Sequence, residues 1–289
     1  MSITRRRFTA ALGLGAVFGR AGAKAATVRP ALPAMLRWAV DYGPAPDPDL
    51  APRFDLLVLE ADHGHDLTRL RGEGRRVLAY LSLGEVADQR PYAEDLRRLG
   101  LLGIRNVHWP DARYIDLRDP RWTAMVLDRL VPALLDLGYD GLFFDTLDNA
   151  EAMERADPIG AAGMVAAAIS LVRDIRRRFP SVLLMLNRGY ALLPEVAGEI
   201  DILLAEAMAA RWSFRDRRYE RMSESDWTWQ AERLRAARAV HPALRLATLD
   251  YWDMGDTATV RDLYALERQD GFSPYVSMLA LDRLYPEPA

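Results

Sequence analysis

The stretch GYDGLFFDTLDNAE, Gly138 to Glu151, decides how this chain reads. Leu142, Phe143 and Phe144 form a short apolar run, and Asp145 follows it at once, with Asp148, Asn149 and Glu151 close behind. A near-continuous apolar run of this length is the pattern of a strand buried on both faces. An acid directly at its end stands where such a strand leaves the core.

The same pattern recurs seven more times. Apolar runs lie at 35–43, 54–62, 76–85, 181–189, 200–208, 244–253 and 273–282, beside the one at 139–148. Between several of them lie helical spacings, at 119–138, 160–179, 228–240 and 257–271. The first begins Asp119-Pro120 and ends at Gly138, the expected order of start and stop signals. Eight strand–helix alternations in one domain predict an α/β fold, a (β/α)8 TIM barrel spanning 26–289. An open doubly wound sheet is the competing reading. Its Gly-rich phosphate turn is missing after the first run, which continues as DYGPAPDPD. The segment from Glu85 to Arg113 reads as a long functional loop, and RYIDLRDP (113–120) as an extra extended piece.

Half of the 289 residues are hydrophobic, so a large core is available. There is no cysteine, which excludes disulfides and thiolate metal sites. Lys24 is the only lysine, so Schiff-base chemistry has no residue once the start of the chain is removed. That start reads as an export signal over 1–25. Thr4-Arg5-Arg6-Arg7-Phe8 resembles a twin-arginine motif, an Ala/Leu/Gly stretch follows, and Ala23-Lys24-Ala25 ends it in a small-residue pattern. A periplasmic or extracellular location after cleavage near Ala25 is therefore expected. Five basic residues (Arg5, Arg6, Arg7, Arg20, Lys24) and no acids leave with it, moving the formal charge from −3 to −8. An acidic chain without a basic run is a poor nucleic-acid partner. No stretch is long and apolar enough for stable membrane insertion.

A barrel carries its active site at the C-terminal ends of the strands. Those ends collect Asp41, Glu60, Asp62, Ser82, Glu85, Asp145, Asp148, Asn149, Asn187, Arg188, Glu206, Asp250, Tyr251, Trp252 and Asp282, with Tyr80 just below. Carboxylates and aromatics dominate. His63-Gly64-His65 has ligand-like spacing but reads as a solvated loop, so no metal is expected, nor any cofactor. No Gly-x-Ser-x-Gly elbow supports a serine triad. Paired carboxylates remain, the equipment of glycoside hydrolysis, in which one acid stays ionised and the other holds a proton. Asp145 and Glu206 end the fourth and sixth strands and can face one pocket. Glu206 sits in the apolar context LLAEAM, which favours a raised pKa, and Asp145 in a more polar one. Asp145 is thus the expected nucleophile and Glu206 the expected acid/base. Asp41, Tyr80, Glu85, Asp148, Asn149, Asn187, Asp250, Tyr251 and Trp252 are the candidate substrate-binding residues. Trp109 and Trp212 lie in loops where they could stack on sugars. Each acid has a plainer alternative, as a helix cap or an arginine partner, and Asp148-Asn149 as the start of a helix.

VLAYLSLGEVADQRPY, YIDLRDP, GYDGLFFDTLDN and LLAEAM together resemble the endo-α-1,4-polygalactosaminidase family of glycoside hydrolases, in order from about Trp38 to Asp282. The resemblance implies a TIM barrel that cleaves α-1,4-linked galactosamine-containing polysaccharide, and its catalytic aspartate and glutamate fall on Asp145 and Glu206. Thr146 stands where the family commonly has asparagine, and Tyr92 where an acid follows Arg-Pro. An exported, endo-acting, retaining glycosidase is the expected function. A non-catalytic carbohydrate-binding TIM barrel is the alternative.

Overall fold

The computed structural model describes residues 29–72 and 74–289. The export signal over 1–25 lies outside them. Eight parallel strands run in chain order around one sheet. They are β1 (Trp38–Asp41), β2 (Leu56–Leu59), β3 (Arg76–Ser82), β4 (Gly141–Asp145), β5 (Leu183–Asn187), β6 (Ile202–Glu206), β7 (Arg245–Tyr251) and β8 (Ser273–Ser277). The expected barrel is therefore present, and each apolar run became a strand.

The barrel closes without a ladder between β8 and β1. Leu36 N–H instead donates to Ser273 Oγ (2.9 Å), the Trp38 indole to Ser273 O (2.8 Å), and Tyr42 N–H to Leu281 O (2.6 Å). Two β8 donors are missing for a chemical reason. Pro274 has no N–H, and Val276 gives its own to Tyr264 Oη.

The helices are less regular than eight alternations imply. A single 3-10 turn, Ala51–Arg53, stands between β1 and β2, where Pro44, Pro46, Pro48 and Pro52 forbid a helix. Tyr190–Leu192 is a similar turn after β5. The expected helix at 119–138 forms, but with a π-helical segment at Val126–Leu130 just before Pro132. Val131 N–H reaches back five residues to Val126 O, which absorbs the ladder bond that proline cannot make. Two long helices complete the outer layer beside β5 and β7, at 164–178 and 224–240, and a third, α8 (Thr257–Gln269), covers β7 and β8.

The segment after β3 is a small sheet rather than a bare loop. Glu85–Ala87, Leu102–Arg105 and Ala112–Ile115 pair antiparallel, and the last carries the extended piece seen in the sequence. After β6, Ala210–Ser213 and Arg218–Arg221 form a ribbon that the sequence did not announce.

Two residues of the opening stretch serve the barrel alone. Asp140 accepts from Arg71 Nε and Nη2 (both 3.1 Å) and from Val77 N–H (3.0 Å), fixing the start of β4 against β3. Gly141 sits where a Cβ would stand 2.7 Å from both Leu183 Cβ and Leu78 Cδ2. Gly141→Ala is expected to destabilise the fold by about 1–3 kcal/mol, because β3 and β5 cannot part without breaking ladders. Urea denaturation checks this; an unchanged midpoint would mean the layer is looser than the geometry says.

Candidate active site

β4, β5 and β6 end in Asp145, Asn187 and Glu206, and the three side chains converge. Asn187 Nδ2 donates to Asp145 Oδ1 (2.9 Å) and to Glu206 Oε2 (2.6 Å). One nitrogen reaches both acids, so their nearest oxygens lie no more than about 5.5 Å apart, close enough to flank a single glycosidic bond. Tyr80 Oη donates to Asp145 Oδ2 (2.8 Å), and Tyr251 Oη to Glu206 Oε1 (2.5 Å). Every carboxylate oxygen of the pair is thus held by a neutral donor, and neither acid is neutralised by an arginine in direct contact. Burial pushes the Glu206 carboxyl up, and the charge of Asp145 pushes it further, against the opposing bonds from Tyr251 and Asn187. Burial and the charge of Asp145 hold the Tyr80 phenol, and burial with Glu206 and Asp145 the Tyr251 phenol, well above their usual range, so both remain donors.

The residue after each of these strand ends takes the left-handed conformation: Thr146 (φ 65°), Arg188 (φ 53°) and Ala207 (φ 53°). This turns the chain sharply while the ladder continues, with Arg188 N–H to Leu204 O and Ala207 N–H to Leu249 O, both 2.8 Å. A threonine pays steric strain there that asparagine would largely avoid. Its hydroxyl offsets the strain, donating to Asp145 O (2.7 Å), meeting Ser82 Oγ (2.8 Å) and accepting from Gly84 N–H (2.8 Å). Gly84 packs so close to Thr146 O that a Cβ has no space.

A second ring of groups surrounds the pair. Glu85 is buried, accepts from Asn106 Nδ2 (2.8 Å) and Asn149 Nδ2 (3.3 Å), and is pushed up mainly by burial. Asp148 precedes the helix Asn149–Ala156 but makes no side-chain cap bond. It lies 3.9 Å from Arg188 Nη1, and burial raises it against that charge. Tyr42 packs edge-on against Tyr80 with ring centres 4.9 Å apart. Arg90 lies over the Tyr80 ring at 5.4 Å and is clamped by Glu60 (2.6 and 2.8 Å) and Asp62 (2.8 Å). Asn106 and Arg90 were not singled out from the sequence. Both come from the insertion after β3, where no periodicity fixes which side chain faces inward.

Two of the candidate binding residues are placed elsewhere. Asp250 does not face the mouth. Tyr251 points inward to Glu206, so its neighbour points outward, and Asp250 is fully buried with Oδ1 accepting from Ala209 N–H (2.6 Å) and Ala210 N–H (2.8 Å). Asp41 is buried beside the β1–β8 seam, with Oδ1 accepting from Gly43 N–H (2.7 Å) and Oδ2 unpartnered; burial lifts it to about 6. Trp252 is half-buried on the rim, next to Tyr219 (6.3 Å) and under Arg221 (5.7 Å). Trp212 stacks edge-on against Tyr219 (4.9 Å), which extends this aromatic row along the ribbon. Trp109 and Phe214, each more than half exposed, touch at 5.8 Å and join the insertion after β3 to the ribbon after β6.

His63 Nε2 lies 3.2 Å from Tyr42 O. Among the described residues no group of three or more histidines, cysteines or acids is arranged to hold a metal ion. No helix among them is long and apolar enough to cross a membrane.

An eight-stranded parallel barrel with two acids within reach of one amide at its mouth is the architecture of the TIM-barrel glycoside hydrolases. Residues 19–288 match glycoside-hydrolase family GH114, and the chain belongs to that family; it is a glycoside hydrolase. The glycoside hydrolase domain of PelA from Pseudomonas aeruginosa is similar, 32% identical, with a TM-score of 0.76 over 87% of this chain and 98% of that one. Ega3 from Aspergillus fumigatus, solved in complex with galactosamine, shares the fold at 19% identity, with a TM-score of 0.65 over 89% of this chain and 96% of that one. An uncharacterised protein of Deinococcus radiodurans is 26% identical over 279 residues, 89% of this chain and 84% of its own length. The alternative of a non-catalytic barrel gives way to this membership.

Proposed function

We propose that the protein is an exported, endo-acting, retaining hydrolase of α-1,4-linked galactosamine-containing polysaccharide, with Asp145 as nucleophile and Glu206 as acid/base. The observation that supports it is the shared amide of Asn187, which keeps the nearest oxygens of the two acids within about 5.5 Å, in keeping with the about 5–5.5 Å separation of retaining enzymes rather than the about 6.5–9.5 Å of inverting ones. Glu206, protonated by its burial, gives its proton to the glycosidic oxygen as Asp145 attacks the anomeric carbon. A glycosyl ester on Asp145 forms and the leaving chain departs. Glu206, now a carboxylate, takes a proton from water, which opens the ester and restores both acids. Asn187 donates to both throughout, and Tyr80 and Tyr251 fix the angles of the two carboxylates.

Galactosamine is supported by charge. Asp148 and Glu85 lie near Asp145, and among the described residues only Arg188 offsets them closely. An ammonium group is attracted to such a mouth, and its binding weakens with salt. The rim aromatics, the exposed Trp109 and Phe214 and the half-buried Trp212 and Trp252, offer ring faces for a chain longer than one sugar, which supports endo action. Ega3 was solved with galactosamine, in keeping with this substrate class. Export is supported by the basic start and the small-residue pattern before Ala25.

The test is product release from partly deacetylated α-1,4-galactosaminogalactan, with the anomer of the new reducing end followed by NMR. Short α-configured oligosaccharides are expected before mutarotation. A β-configured first product overturns retention, single sugars alone overturn endo action, and no release points to another α-linked glycan.

A further inference from the structure

Behind Glu206, outside the barrel, lies a second pair of acids that the mechanism does not use. Asp250 is on the outer face of β7, and Glu267 is on the buried face of α8, one turn beyond Leu263 and Tyr264. Both acids are completely buried. Asp250 Oδ1 accepts from the backbone N–H groups of Ala209 and Ala210, three and four residues beyond Glu206. Glu267 Oε1 accepts from the Trp227 indole (2.8 Å). Among the described residues the remaining oxygens, Asp250 Oδ2 and Glu267 Oε2, have no partner, nor does Thr248 Oγ1 on the same face of β7. Ala209, Ala210, Val260, Leu263, Tyr264 and Val276 seal this layer from water.

Two buried carboxylates cannot both stay charged in such a layer, and an orphaned oxygen on each is the arrangement a shared proton completes. We propose that Glu267 and Asp250 share one proton across the β7–α8 interface, and that Asp250, held by it, is the positioning residue for the turn that carries Glu206. The Glu267 O–H donates to Asp250 Oδ2, and Asp250 Oδ1 keeps both backbone donors. β7 then holds Glu206 from two sides, through Tyr251 inside the barrel and through Asp250 outside it. This part rests on Glu206 being the acid/base.

The charged groups facing the pair are few. Arg221 on the ribbon acts on Asp250, and Asp270 at the end of α8 acts on Glu267. Burial first, and Asp250 second, push Glu267 up to about 9, while Asp250 is lifted to about 6. Glu267 binds its proton more tightly folded than unfolded. Its contribution to stability is therefore complete below its ordinary range near pH 4.5 and is lost as pH rises through about 9.

The experiment follows melting temperature and kinetics in the full chain across pH. In wild type the melting temperature is expected to fall as pH rises from 5 to 9, and Glu267→Gln should flatten that fall. Asp250→Asn should flatten it too, because its amide donates to Glu267 without a shared proton, and should keep most of kcat. Asp250→Ala should lose about 10²-fold in kcat at unchanged KM, measured well below its melting temperature, with the alkaline limb of its pH profile displaced. An unchanged fall in Glu267→Gln overturns the shared proton. A kcat in Asp250→Ala within twofold of wild type overturns the positioning. If Asp250→Ala does not fold, Asp250→Ser takes its place: its short hydroxyl cannot span both Ala209 and Ala210 N–H, so a large loss of kcat supports positioning and a kcat within twofold of wild type overturns it. Should wild type cleave no galactosamine polymer, the kinetic arm fails with the proposed function, while the melting arm still decides the proton.

Discussion

Asp145→Asn is expected to lose about 10⁴-fold or more in kcat while the fold and substrate binding persist. The amide fills the same volume at the end of β4 and still accepts from one donor. It faces two, Tyr80 Oη and Asn187 Nδ2, so a single hydrogen bond is disturbed at the site. What disappears is the nucleophile. In the truncated variant Asp145→Ala, a small anion such as azide should enter the vacated space on the β face of the sugar and restore turnover, giving a β-glycosyl azide. Activity within tenfold of wild type, or an α-azide, would show that another group attacks the anomeric carbon.

Glu206→Gln is expected to lower kcat on the natural polymer by about 10²–10⁴-fold. The loss should shrink on substrates whose leaving group needs no proton, such as dinitrophenyl glycosides, because only protonation of the leaving oxygen is missing in the first step. The pH profile gives a separate reading. Glu206 must be protonated to act, and burial, then Asp145, raises its pKa. In wild type kcat/KM therefore falls as pH rises through that raised value, and in Glu206→Gln this alkaline limb should vanish. A limb that survives the substitution belongs to another group, and Glu206 would lose its role.

Both predictions concern residues that could be found by reading the chain. Asp145 and Glu206 each follow an apolar run without a break, and a run buried on both faces can end only at the mouth or the base of a barrel. Chain direction places them at the mouth. Tyr80 and Asn187 were legible for the same reason, and each bonds to the acids. Asp250 shows where this reasoning stops. It is one residue from Tyr251, and at a strand end the face of a side chain depends on a parity that a fully buried run does not reveal. The missing helices after β1 and β5 have different origins. Four prolines forbade the first, while nothing in GYALLPEVAGE separates a 3-10 turn from the start of a helix.

The sequence by itself determined the barrel, the direction of its strands and the two acids at its mouth, because burial patterns and strand-end positions are properties of local order along the chain. Only the tertiary structure decided that Asn187 holds both acids, that Arg90 and Asn106 reach in from an insertion, and that Asp250 on β7 and Glu267 on α8 are both fully buried. Each of these depends on residues 10 or more positions apart being brought together, and such meetings are set by how strands register and helices pack rather than by any pattern within one segment.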